Sequence, residues 1–219
     1  MSGKTVRKPS AMVAPGQPII VTDAIPYVSR GGLKLEAALD SFGVRVCGRV
    51  ALDVGASTGG FTDCLLRHGA VRIYAVDVGH GQLAESLRGD PRVVVMEDCD
   101  IRQVESLPEQ VDLAVVDVSF ISLRLVLPSV ARLVGQGGEV IALIKPQFEA
   151  GPGAVDRRGV LRDKRVREEV VAAVVVWLRE QGWKVLALIP SPVEGGDGNI
   201  EYLAHALSPA FRKGPEDRA

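Results

Sequence analysis

Between Val50 and Lys145 short apolar runs alternate with segments of helical pattern, and nothing else in the chain narrows its fold as much. Val50–Val54, Ile73–Asp77, Val93–Met96, Val111–Asp117 and Val140–Lys145 read as strands, with helices over Phe61–His68, Leu83–Leu87 and Leu125–Val134 between them. Runs of Val, Ala and Leu without polar alternation suit strands buried on both faces, and strand–helix repetition implies parallel pairing with right-handed crossovers. Ahead of this block, Ser29 to Phe42 reads as a helix with Leu33, Ala37 and Leu39 on its apolar face and Gly43 as its stop. Behind it, Glu149 to Arg162 is rich in glycine and reads as a loop. Asp163 is placed to cap a helix that runs through Val170–Leu178 to a stop at Gly182. Lys184–Ile189 and Glu201–Leu207 then form two strands with no helix between them, which predicts a C-terminal antiparallel hairpin. The expected architecture is α/β: a mostly parallel seven-stranded sheet, Rossmann-like, with helices on both faces.

A chain of 219 residues can bury one large core. Residues 25–208 are expected to form it, with 1–24 as an appendage plus linker and 209–219 as a charged tail. The formal charge is −1, so any affinity for polyanions depends on where the basic residues lie. They cluster at Lys4, Arg7, Lys8, Arg30 and Lys34, and again at Arg157, Arg158, Arg162, Lys164, Arg165 and Arg167. Cys47, Cys64 and Cys99 are odd in number and widely spaced, with no neighbouring His; they read as buried thiols in a reducing cytoplasm, and no metal site is expected. No apolar run approaches the roughly 18–20 residues that a membrane helix needs, so no membrane partner is expected.

Asp53-Val-Gly-Ala-Ser-Thr-Gly-Gly-Phe61 follows the first strand of the block and opens a helix. Gly55, Gly59 and Gly60 belong where backbone turns tightly or approaches a ligand. With Ser57 two residues after Gly55, the spacing departs from the G-x-G-x-x-G of dinucleotide binders. An acid ahead of the first glycine suits the cationic amino-acid head group of S-adenosylmethionine better than a pyrophosphate. Asp77 ends the next strand, where such folds place an acid that accepts the two ribose hydroxyls of an adenosine. Asp53, Gly55, Ala56, Ser57, Gly59, Gly60, Phe61, Asp77, Val78, Asp100 and Asp117 are the expected cofactor residues, Asp100 facing the adenine amino group with Asp98 as its rival.

Four positions of unusual chemistry are expected at one end of the sheet: Lys34 in the first helix, Asp117 and Lys145 closing strands, and Glu201 opening the last one. Two lysines and two acids suit the deprotonation of a weak alcohol, since a lysine desolvated beside another cation can act as a base while the acids orient the lysines and a sugar.

Ser29-Arg-Gly-Gly-Leu-Lys-Leu35, Asp53 to Thr62, Asp117-Val-Ser-Phe-Ile-Ser-Leu123, Lys145-Pro-Gln-Phe-Glu149, Gly159-Val-Leu-Arg-Asp163 and Gly198-Asn-Ile-Glu-Tyr202 resemble, in order, the signature segments of TlyA-type proteins. That family, often labelled haemolysin, belongs with the FtsJ-like ribosomal RNA methyltransferases. The resemblance implies a catalytic tetrad at Lys34, Asp117, Lys145 and Glu201 with Lys145 as base, S-adenosylmethionine as methyl donor, and a ribose 2′-hydroxyl of ribosomal RNA, free or in a subunit, as acceptor. It also implies an N-terminal S4 RNA-binding domain. Only the final strands of that fold are matched, by Gly3 to Ser10 and Ile19-Ile20-Val21, so residues 1–24 are expected to be its remnant. Three other readings stay open: a catalytically weak or inactive module that binds cofactor or RNA, a membrane-active haemolysin, and a nicotinamide dehydrogenase.

Overall fold

The computed structural model describes residues 25–209 apart from 152, together with positions 12 and 16. The S4-like segments and the charged tail lie outside the described residues. Seven strands, β1 (Val50–Val54), β2 (Arg72–Val76), β3 (Val93–Met96), β4 (Leu113–Val116), β5 (Glu139–Ile144), β6 (Lys184–Pro190) and β7 (Tyr202–Leu207), form one sheet in the order β3-β2-β1-β4-β5-β7-β6. The first five are parallel, and β7 runs antiparallel to both of its neighbours. The expected hairpin is therefore present, folded so that its second strand is the one that joins the sheet.

Six helices cover the sheet: α1 (Gly31–Phe42), α2 (Gly60–Arg67), α3 (Glu85–Arg88), α4 (Leu123–Val134), α5 (Pro146–Glu149) and α6 (Lys164–Glu180). Side chains alternate across each strand. Leu52, Val54, Val116, Ala142 and Ile144 pack with α4 and α6 on one face, while Ala51, Ile73, Leu113, Val115 and Leu143 pack with α1 and α2 on the other. Asp53 shares the second face with Ala51, which puts a carboxylate under α2.

Local signals in the sequence set most of the boundaries. Asp163 caps α6, its carboxylate accepting from the N–H groups of Arg165 (2.8 Å) and Val166 (3.3 Å), and Gly43 ends α1 in the left-handed region at φ 65°. Three expectations need correction. The apolar face of α1 centres on Leu35, Ala38 and Leu39, whereas Leu33 and Ala37 are only half-buried, because the helix is seated against α2 and β7. Glu149, expected to open a loop, instead closes the helical turn α5, which begins directly after the strand end at Lys145. Cys64 is buried, but Cys47 is exposed in the turn before β1 and Cys99 is half-buried. Among the described residues, no helix is long and apolar enough to cross a membrane.

Candidate active site

The strand order reverses between β1 and β4, and the loops that leave the C-terminal ends of these two strands bound a crevice, as open α/β sheets require. Because β7 is antiparallel, its first residue lies at the same end: Tyr202 pairs with Ile144, so Glu201 and Lys145 leave adjacent strands together.

The crevice has two halves that share Gly55, Ser57, Asp117 and Ser119. The larger, about 530 Å³, extends over Asp77, Val78, Gln82, Asp100 and Phe120. Gly55 makes it accessible: its φ is +84°, and a Cβ there would come within 2.5 Å of the Asp117 carbonyl oxygen. Asp77 holds the loop in place, accepting from the Ser57 N–H at 2.8 Å and the Gly79 N–H at 2.7 Å. Of the two adenine-side candidates, Asp100 lines this half and is paired with Arg102 at 2.5 Å, which holds its carboxyl below the usual range. Asp98 instead pairs with His80 at 2.7 Å.

Asp53 lies beneath this floor and lines neither half. It is fully buried; Oδ2 accepts from Thr62 Oγ1 at 2.6 Å, and Oδ1 has no partner. Burial, reinforced by the nearby Asp117 and Asp77 charges, pushes its carboxyl up to about 7 against the Thr62 hydrogen bond. Gly59 also misses the crevice: as the N-cap of α2 it packs on Leu83 and Leu87.

The smaller half, about 250 Å³, is lined by Ser29, Arg30, Gly31, Lys34, Ala56, Thr58, Gly60, Phe61, Lys145, Gly195 and Gly196 in addition to the shared wall. Two ion pairs meet here. Lys34 Nζ donates to Glu201 Oε2 at 2.6 Å, with side-chain exposures of only 10% and 2%. Glu201 does not line the cavity; it stands behind Lys34 against Gly195, where a Cβ would approach its Oε1 to 2.1 Å. Lys145 Nζ lies 2.7 Å from Asp117 Oδ1, but that oxygen has no aligned hydrogen bond, and the ammonium donates to Ser119 Oγ at 2.8 Å. The structure thus brings Lys34, Asp117 and Lys145 to one small cavity with Glu201 against the first of them.

Several lining residues escaped the sequence reading. Ser29, Ser119 and Phe120 stood inside segments already singled out, but nothing in their chemistry set them apart, and Arg30 stood out only as a member of the first basic cluster. Phe120 is 90% exposed in the left-handed region at φ 62°, an unusual position for an aromatic, with its ring 5.0 Å from that of Phe148. Gly195 and Gly196 carried no signal beyond a loop composition.

The sheet order, with one reversed strand and a glycine-floored crevice at the switch point, defines the fold of S-adenosylmethionine-dependent methyltransferases. A methyltransferase of that type from Mesorhizobium loti superposes with a TM-score of 0.56 at 17% identity, over 78% of this chain and 96% of that one. The chain belongs to the FtsJ-like methyltransferase family, whose model matches residues 27–207. It is 47% identical to the 16S/23S rRNA (cytidine-2′-O)-methyltransferase TlyA of Mycobacterium tuberculosis over 84% of this chain and 70% of that one. A crystal structure from Lactococcus lactis, provisionally named a hemolysin, gives a TM-score of 0.81 at 46% identity over 84% of this chain and 90% of that one.

Proposed function

We propose that the protein transfers a methyl group from S-adenosylmethionine to a ribose 2′-hydroxyl of ribosomal RNA, and that it acts in the cytoplasm on free RNA or assembled subunits. The observation that carries this reading is the meeting of two lysine–carboxylate pairs across a small polar cavity whose Gly55–Asp117 wall is also the wall of a larger one. Residues 25–208 would be the catalytic domain, preceded by the S4-like segment and linker of 1–24.

The larger half fits the cofactor. Its volume is that of a small-molecule site, its floor is a glycine loop, and beneath that floor Asp53 Oδ1 is a buried acceptor without a partner. Asp77 would hold the ribose, Val78 and Asp100 the base, and Gly55, Ala56, Ser57, Gly60, Phe61 and Asp117 the end that faces the acceptor. When bound, S-adenosylmethionine supplies an electrophilic methyl on a sulfonium centre. Everything else is the work of this chain. Lys145, having released its ammonium proton to solvent, takes the proton of the 2′-hydroxyl on its neutral Nζ, held at that point by Asp117 and Ser119. Lys34, fixed by Glu201, orients the sugar, and the burial of that pair keeps water from the reacting oxygen. A hydroxyl acceptor needs such a base, whereas a dehydrogenase reading leaves both lysine pairs without a task.

Incubation with tritiated S-adenosylmethionine and ribosomal RNA or subunits tests the reading. Label in the RNA is expected. Absence of transfer to every ribosomal substrate, with the cofactor bound, would overturn it in favour of a non-catalytic module.

A further inference from the structure

The second basic cluster of the sequence is divided sharply by the structure. Arg162 pairs with Asp156 (2.7 Å), Lys164 with Glu168 (3.7 Å) and Arg165 with Glu169 (2.9 Å), while Arg167 is buried. Arg157 and Arg158 are exposed and have no acidic partner among the described residues. They sit at the tip of a turn braced from within. Asp156 Oδ1 accepts from the N–H groups of Arg158 (2.8 Å) and Val160 (3.0 Å), and the Asp156 N–H donates to the Val160 carbonyl at 3.0 Å. The N–H groups of these two neighbours, together with the Arg162 side chain, already occupy the one carboxylate in the turn and hold it below its usual range.

This turn is fastened to the acceptor half of the crevice by one side chain. The buried Asn199 accepts from the Leu161 N–H at 3.1 Å and donates to the Gly159 carbonyl at 3.1 Å and to that of Gly196 at 3.3 Å. Gly196 lines the cavity that holds Lys34 and Lys145, and Glu201 is two residues beyond Asn199. Arg30, just before α1, also lines this cavity, is exposed and has no acidic partner among the described residues. Guanidinium groups left without carboxylates are free to take phosphate oxygens in their place.

We propose that Arg157 and Arg158, held in register with the acceptor cavity by Asn199, bind the phosphates of the RNA strand on one side of the target nucleotide while Arg30 binds those on the other. The proposal rests on the reading of RNA as the acceptor. Contacts of this kind anchor the strand without reading its sequence, so their loss falls on RNA affinity and on its salt dependence.

The test measures binding of a ribosomal RNA transcript and methyl transfer to it, between low and moderate KCl, for the full chain and for the double variant Arg157→Ala/Arg158→Ala. Removing two phosphate contacts is expected to weaken RNA binding about tenfold or more and to flatten the slope of log affinity against log salt by roughly 1.5. KM for RNA should rise much more than kcat falls, and S-adenosylmethionine affinity should be unchanged. Arg165→Ala, with its guanidinium already engaged, should move RNA affinity less than twofold. A double variant that keeps wild-type RNA affinity and salt slope, in a protein that methylates RNA, overturns the clamp and leaves the acceptor reading intact. A wild-type chain that neither binds nor methylates RNA overturns both.

Discussion

The two lysine–carboxylate pairs have the same composition and face the same cavity, yet one is closed and the other open. Lys34 and Glu201 make an aligned hydrogen bond at 2.6 Å, and Glu201 is 2% exposed against a glycine that leaves it no other place. Lys145 lies close to Asp117 without an aligned bond and gives its hydrogen bond to Ser119, so both of its partners belong to the wall common to the two halves of the crevice. A locked ammonium can orient a ligand but has little freedom to exchange a proton. A lysine held loosely by a carboxylate and a hydroxyl can lose its proton to solvent and then, as the neutral amine, take one from a hydroxyl placed beside it. The difference favours the proposed roles, Lys145 as the base and Lys34 as the scaffold.

The largest effect that could break this comparison is at Lys145. Lys145→Ala is expected to lower kcat by about a thousandfold, within the usual range for loss of a general base, with S-adenosylmethionine affinity changed no more than a few-fold. Single-turnover transfer under saturating substrate measures it, and near-normal turnover would move the base elsewhere. Lys34→Met should act first on stability, since it leaves Glu201 buried without a partner; a loss of about 3–5 kcal/mol in urea unfolding is expected, with most of it recovered in Lys34→Met/Glu201→Gln. A variant as stable as the wild type would show that the closed pair is not the scaffold described.

The smallest effect separates the cofactor floor from both pairs. The Asp53 carboxyl is raised from 3.8 to about 7, so it is harder to ionise folded than unfolded. The stability it permits is therefore complete below about pH 4 and is lost as the pH rises to about 7, a cost of the order of 4 kcal/mol for a fully buried group. Asp53→Asn should accordingly be more stable than the wild type by about 1–3 kcal/mol at pH 8 and nearly equal to it at pH 4, while binding S-adenosylmethionine about tenfold more weakly. Urea unfolding at the two pH values and calorimetry decide it. A stability difference independent of pH would show that the carboxyl does not titrate in this range.

The fold was largely legible because its signals are local. β1 and β3 begin and end where the apolar runs do, Asp163 and Gly43 cap the helices they adjoin, and the absence of a helix between the last two strands disclosed the hairpin. The face of α1 was misjudged because its seat is set by α2 and β7, which a helical period alone does not contain. At the site, Lys34, Asp117, Lys145 and Glu201 stood out as charged groups at element ends. That Glu201 reaches the cavity only through Lys34 depends on Gly195, a glycine just ahead of the Gly198–Tyr202 segment that carried no signal of its own. Asp53 was legible as an acid at a strand end, but the side of the floor on which it lies follows from β-strand parity and the Thr62 hydroxyl above it. Arg157 and Arg158 could be told from their paired neighbours only once the carboxylates were in place.

The central claim is that the open pair serves a ribose hydroxyl. Nucleoside analysis of ribosomal RNA methylated by the pure protein tests it most directly: the account requires the label in a 2′-O-methylnucleoside, resistant to alkaline hydrolysis at its 3′ phosphate. Label in a methylated base, with the riboses unmodified, would contradict it.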